Sequence, residues 1–230
     1  MDFPEPLQKA TLIKRYKRFL ADVKLESGDA LTVHCPNTGS MMGCSDPGSE
    51  VMISRSPNPK RKYPHTLEMV RANDTWVGIN TSLTNRLVRD GIENGIFPEL
   101  IPFSEIKPEV KVGKSRLDFL LTNNDKRTFI EVKNCTLIRE RTAMFPDAVT
   151  TRGTKHLHEL MELIDQGHRG ALIFCIQRED ADTFTPAADI DPTYAATLAE
   201  AASKGVMILA CQTTISPASI LITEKIPTKL

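Results

Sequence analysis

The chain is poor in the residues that would stack on sugars. It holds one tryptophan and three tyrosines, and aromatics make up 6% of it. A carbohydrate-binding module is therefore disfavoured. It also lacks an excess of either charge, with 29 Lys+Arg against 29 Asp+Glu, so no overall polyelectrolyte character points to a partner. No apolar run approaches the roughly 20 residues of a membrane span, and the N-terminus shows no basic segment leading into an apolar one. The expectation is a soluble, cytoplasmic protein that does not enter a membrane. Cysteines number five, an odd count, and Cys175 and Cys211 sit inside apolar runs. That fits reduced, buried thiols rather than a disulfide framework.

Charge is nevertheless unevenly spread. Residues 1–65 carry 10 Lys+Arg against 7 Asp+Glu, a net of +3, and residues 175–230 carry 4 against 7, a net of −3. With 230 residues, the chain can bury a sizeable core in one large or two smaller domains. Residues 1 to about 80 read as all-β. Strand-like segments cover 10–19, 20–25, 30–35, 50–54, 67–72 and 75–79, and turn clusters such as Ser27-Gly28-Asp29 and Ser45-Asp46-Pro47-Gly48 separate them. Short strands at this spacing predict a small barrel of the five-stranded OB type. Residues 81–230 read as α/β. A helix is predicted over about 82–94, strands over 106–112 and in the following hairpin, and a helix opening at 150–155. Buried strands at 171–177 and 206–212 follow, with a helix starting at Asp191-Pro192 between them and an edge strand at 219–223. Residues 139–147 read as irregular.

The stretch that organises the second half runs from Lys114 to Cys135. Two arms, 115–121 and 128–135, flank a turn-forming cluster. With Asn124 and Asp125 at the turn centre, antiparallel partners sum to 249, so Asp118 faces Glu131 and Arg116 faces Lys133. Directly opposed residues hold their Cβ atoms roughly 5 Å apart, and alternation puts Asp118, Glu131 and Lys133 on one face. Two adjacent carboxylates repel unless a cation compensates them. Mg²⁺ or Mn²⁺ suits such a pair together with water and phosphate oxygens. Lys133 is then placed to orient an attacking water or to stabilise developing phosphoryl charge. The alternative is a hairpin face of mixed surface charge. Asp90 and Glu93 on the preceding helix are candidates for a third acid.

Cations cluster at three further places. Lys14, Arg15, Lys17 and Arg18 surround Tyr16 and Phe19 on a predicted strand, and Lys60, Arg61 and Lys62 precede Tyr63 on a Pro-rich loop. Both suit phosphate contact with aromatic stacking on unpaired bases. For Phe19, inward packing is the expected fate. Arg152, Lys155 and His156 crowd the first turn of a helix whose macrodipole is already positive there, which favours an anionic partner. The block His34 to Cys44, with Cys35-Pro36-Asn37-Thr38-Gly39-Ser40 at its centre, reads either as a structural loop joining barrel strands or as an anion-holding turn. Its two cysteines lack the paired spacing of a zinc site.

Strand, Asp-bearing strand and Glu-x-Lys strand in this order resemble the core of PD-(D/E)XK nucleases. More specifically, residues 15–23, Cys-Pro-Asn-Thr-Gly-Ser-Met (35–41), Ser-Arg-Leu-Asp-Phe-Leu-Leu (115–121), Glu-Val-Lys-Asn (131–134), Met-Phe-Pro-Asp-Ala-Val-Thr (144–150) and Arg-Gly-Thr-Lys-His-Leu (152–157) resemble the sugar fermentation stimulation protein family, SfsA. The resemblance implies an OB-fold, a nuclease-like second domain, non-specific DNA binding and a regulatory role in sugar (maltose) metabolism. It further implies that Asp118, Glu131 and the Val132 carbonyl hold metal while Lys133 is catalytic. Nucleic acid is the expected partner, DNA ahead of RNA. A regulator that binds without cutting and an RNA-directed nuclease are the alternatives, and no oligomeric state can be read.

Overall fold

Alternating strands in the first third of the chain close on themselves in the computed structural model, which describes residues 1–113 and 115–230. Strands β1 (Gln8–Tyr16), β2 (Leu20–Leu25), β3 (Ala30–His34), β4 (Glu50–Arg55), β5 (His65–Ala72) and β6 (Thr75–Gly78) form a sheet ordered β3-β2-β1-β4-β5-β6. A parallel bridge from His34 to Thr66 joins β3 to β5 and closes five strands into a barrel. Closure removes the free edges that an open sheet would expose. Leu12, Val23, Val33, Ile53, Leu67 and Val70 fill the interior. This is the expected OB-type barrel, with one local difference. Lys17, Arg18 and Phe19 do not extend a strand; they form the three-residue loop between Tyr16 and Leu20, with φ of 51° at Lys17 and 63° at Arg18. Phe19 is accordingly 47% exposed rather than packed inward, because the loop carries it off the barrel wall.

The second half is a mixed six-stranded sheet ordered β15-β14-β12-β9-β8-β7. Its strands are β7 (Glu105–Val112), β8 (Ser115–Asn123), β9 (Lys126–Cys135), β12 (Arg169–Ile176), β14 (Met207–Ile215) and β15 (Ile220–Ile226). Helix α1 (Thr84–Glu93) covers one face with Val88 and Ile92. Helices α2 (Thr151–Asp165) and α3 (Pro192–Ser203) cover the other through Leu157, Leu160, Met161 and Leu198. Parallel strands β9, β12 and β14 are buried on both sides, which explains their continuous apolar runs. The segment expected to be irregular instead forms β10 (Leu137–Arg139) and β11 (Thr142–Phe145). With β13 (Thr183–Pro186) they make a small third sheet. Its strands are three or four residues long, too short for periodicity to register. All five cysteines are free and buried.

The two halves are stitched together by the Pro36–Met41 loop. Asp147 accepts the Met41 amide at 2.9 Å on Oδ2, and its carbonyl accepts the Ser40 hydroxyl at 2.8 Å. Thr81 donates to the Pro36 carbonyl at 2.6 Å. Gly78 donates its N–H to the Gln177 carbonyl at 2.9 Å, and a Cβ at that glycine would lie 2.4 Å from Gln177 Oε1. A larger residue there would have to push the buried Gln177 side chain aside.

Candidate metal and nucleic-acid site

The central hairpin has the predicted register. Partners run from Phe119–Ile130 to Asn123–Lys126, leaving Asn124 and Asp125 as the two turn residues. Asn124 takes φ of 52° there, a conformation that asparagine tolerates better than most residues. Lys114, the first residue of the organising stretch, lies outside the described residues.

Above Phe119 the arms part. Glu109, which the β7–β8 register would set opposite Asp118, has φ of 53°. Leu117 joins the core beneath α2 while Phe119 joins the core beneath α1, although residues two apart in a regular strand share a face. The strand therefore turns at Asp118, as bulged strands do where they re-aim a side chain. Asp118 Oδ2 accepts the Val132 amide at 2.8 Å and Oδ1 accepts Asn85 Nδ2 of α1 at 2.7 Å. The expected facing of Arg116 and Lys133 does not occur. Arg116 pairs across to Lys111 of β7, and its guanidinium meets Glu109 at 2.8 Å.

Glu131 is 4% exposed. Its Oε1 accepts Lys133 Nζ at 2.5 Å and also meets His156 Nδ1, which α2 delivers from its first turns. Oε2 is buried without a partner. Burial pushes the Asp118 carboxyl up, the nearby Glu131 charge pushes it further, and the Val132 and Asn85 hydrogen bonds only partly offset them, leaving it at about 6. Burial also raises Glu131. There the hydrogen bond with His156 and the Lys133 charge win, and the carboxyl lies below its ordinary range. The hairpin thus brings Asp118, Glu131 and Lys133 together, as a gap bridged by a side chain rather than a flat row.

An acid pair with a raised carboxyl and an orphaned buried oxygen fits a hard divalent cation. The ion would give Oε2 a partner and cancel the Glu131 repulsion that adds to burial in holding Asp118 up. Among the described residues no group of three His, Cys, Asp or Glu is arranged to hold a metal. Helix α1 contributes Asn85, not an acid. Asp90 and Glu93 lie five and eight residues further along, roughly 7.5 and 12 Å by helical rise, and Glu93 pairs with Arg89 at 2.9 Å. Asn85 escaped sequence reading because an isolated asparagine on a helix carries no signal.

The other expected contacts divide. Arg15 is engaged by the loop: its NH₂ groups donate to the carbonyls of Arg18, Asn37, Gly39 and Ser40 at 2.8–3.2 Å. Tyr16 is half-buried and donates to Asp22 at 2.9 Å. Lys14, 63% exposed at its side chain, reaches Asp22 at 3.7 Å. Lys17 and Arg18 are exposed at the barrel tip. Arg61 donates to Thr66 at 3.1 Å, while Lys60 and Lys62 are exposed. On α2, Thr150 caps the helix by accepting the Gly153 amide. Arg152 and Lys155 are exposed there, and His156 is buried. Cys35 and Cys44 of the loop are packed in apolar contacts, and burial pushes the Cys44 thiol up to about 11.

Comparison with known proteins agrees with this architecture. Residues 13–79 match the family model described as the SfsA N-terminal OB domain, and residues 82–219 match the sugar fermentation stimulation protein RE domain. A sugar fermentation stimulation protein homolog from Desulfotalea psychrophila is 54% identical over 94% of this chain and 92% of its own. One from Geotalea uraniireducens is 52% identical over 100% of both. The solved structure of Pyrococcus furiosus SfsA in complex with Ca²⁺ superposes with a TM-score of 0.91 at 27% identity, covering 100% of this chain and 98% of that one. Barrel, mixed α/β sheet and end-to-end sequence identity converge, and the chain belongs to the sugar fermentation stimulation protein family.

Proposed function

We propose that this protein binds nucleic acid, DNA in preference to RNA, and carries a Mg²⁺- or Mn²⁺-dependent phosphodiesterase site in its second domain. The carrying observation is the meeting of Asp118 and Glu131 beside Lys133, with Glu131 Oε2 buried and unpartnered. The P. furiosus relative, whose structure is in complex with Ca²⁺, supports a hard cation as a ligand of this fold. Asp118, Glu131 and the Val132 carbonyl would hold the ion. When bound, it supplies positive charge to the phosphate oxygens and acidifies water.

The chain's own residues do the rest. Lys133 Nζ, 13% exposed at its side chain, is fixed by Glu131 and presents a proton toward a phosphate oxygen or an incoming water. His156 holds Glu131 in position from beneath α2. Arg152 and Lys155 bind phosphate at the helix start, where backbone N–H groups add to their field. Lys17, Arg18, Lys60 and Lys62 extend the grip over the barrel. The family's link to sugar fermentation would then act through nucleic acid. Free buried thiols suit a reducing cytoplasm, and among the described residues no helix is long and apolar enough to cross a membrane.

The test is a cleavage screen over single- and double-stranded DNA and RNA, with Mn²⁺ or with chelator. Hydrolysis should need metal and vanish in Asp118→Asn and Lys133→Ala while binding persists. Activity without metal, or surviving both changes, refutes the reading. A second reading, a binder that no longer cuts, is favoured by the engagement of Glu131 Oε1 with both Lys133 and His156. It predicts binding that falls steeply with salt and no cleavage of any substrate.

A further inference from the structure

Next to the candidate site lies a cavity of about 390 Å³ lined by Lys111, Ser115, Arg116, Arg152, Lys155 and His156. No acidic residue lines it among the described residues. Lys111 and Arg116 are direct cross-strand partners in β7 and β8, and like charges directly opposed destabilise a sheet. Arg152 and Lys155 approach from the first turns of α2, which hold no acidic residue to balance the helix dipole. Two of the cations have carboxylate partners. Arg116 meets Glu109 in a pair whose side chains are 64% and 66% exposed, and an exposed pair of this kind contributes little; Lys155, 54% exposed, meets the largely buried Glu159 at 3.6 Å. Lys111 and Arg152 have no carboxylate partner among the described residues. Among the described residues four cations from three elements, β7, β8 and α2, thus converge on one volume, and only two of them have a carboxylate partner.

An anion offsets that charge, and the arrangement specifies which. A phosphodiester inside a strand carries a single charge and continues on both sides, so its partners are best strung along a groove. Here the cations ring a single volume from the hairpin on one side and the helix on the other, with the Ser115 hydroxyl among them. That suits a dianionic phosphate monoester, attached to a chain on one side only. The volume is of mononucleotide size. His156 lines the cavity and also touches Glu131 and Lys133, so an occupant is contiguous with the metal-binding acids.

We propose that this cavity receives the terminal phosphate of a nucleic-acid strand and sets that end in register with the Asp118–Glu131 site. The assignment deepens the nuclease reading and rests on it for what happens next, but end recognition is measurable without cleavage. Affinities are compared, in chelator and at fixed salt, for one oligonucleotide bearing a 5′-phosphate, a 3′-phosphate or hydroxyls at both ends. One phosphorylated form should bind about tenfold or more tightly than the hydroxyl form, given several charge-assisted hydrogen bonds, and which form does so identifies the end. Inorganic phosphate should compete for that increment. The exposed pair Lys111→Ala/Arg152→Ala should abolish the preference, whereas Lys17→Ala/Arg18→Ala should weaken all three oligonucleotides alike and keep it. Equal affinity for the three ends, or a preference surviving Lys111→Ala/Arg152→Ala, overturns the pocket even if metal-dependent cleavage is found. A preference without cleavage under any metal leaves the pocket standing and removes the nuclease reading.

Discussion

Replacing Asp118 with asparagine should stabilise the metal-free protein at neutral pH. The folded-state carboxyl sits at about 6, against 3.8 for an unperturbed aspartate. Below the lower value both states are protonated and the group is neutral toward stability. As pH rises toward 6 the unfolded chain loses this proton while the folded chain keeps it, so stability falls; above 6 the full penalty applies. A gap of about 2 pKa units corresponds to about 3 kcal/mol as an upper value. Asparagine can keep the local contacts, accepting from the Val132 amide through Oδ1 while its amide donates to a flipped Asn85. Chemical denaturation of both proteins in chelator from pH 4 to pH 8 measures the difference. Asp118→Asn should match the parent near pH 4 and exceed it by up to about 3 kcal/mol at pH 7.5, or roughly 6–12 °C in Tm. Adding Mn²⁺ should then raise the parent and not the variant. A difference independent of pH would show that the Asp118 carboxyl is not held up by burial and Glu131, and a variant that Mn²⁺ stabilises equally would show that Asp118 is not part of a cation site.

Three further outcomes follow from the same geometry. Glu131→Gln in chelator should have the opposite sign, destabilising at pH 7 because the native carboxyl is held low, with the loss fading below about pH 4.5; a pH-independent effect would contradict the ion pairing. Arg15→Ala should cost about 2 kcal/mol or more in denaturant while leaving nucleic-acid affinity nearly unchanged, and Lys17→Ala/Arg18→Ala should do the reverse, lowering the salt slope by about 2. Asp147→Ala should cost about 1–3 kcal/mol and speed hydrogen exchange at the Met41 amide, and unchanged exchange there would refute the proposed latch between barrel and sheet.

Much of the fold was legible because its signals are local. Alternation in the barrel strands, apolar stripes on α1 and α2, and Asn124-Asp125 between two strand-like arms each declare themselves within about ten residues. The 249 register follows from the turn alone and holds from Asn123–Lys126 to Phe119–Ile130; beyond it Asp118 does not face Glu131 in the ladder but reaches the Val132 amide across the gap between the arms. The short strands β10, β11 and β13 were missed because three or four residues cannot show a period. Phe19 was misplaced because the bend at Lys17 and Arg18 uses positive φ in residues that rarely adopt it.

Sequence by itself determined two domains, a barrel and a layered sheet, and the two acids and the lysine of one hairpin, since pattern and turn chemistry act between near neighbours. Tertiary structure alone decided that Arg15 braces a loop while Lys17 and Arg18 stay free, that Asn85 rather than Asp90 or Glu93 meets Asp118, and that Lys111 and Arg116 join Arg152 and Lys155 around one cavity. Those contacts span tens of residues, and the packing that creates them leaves no trace in any short stretch of chain.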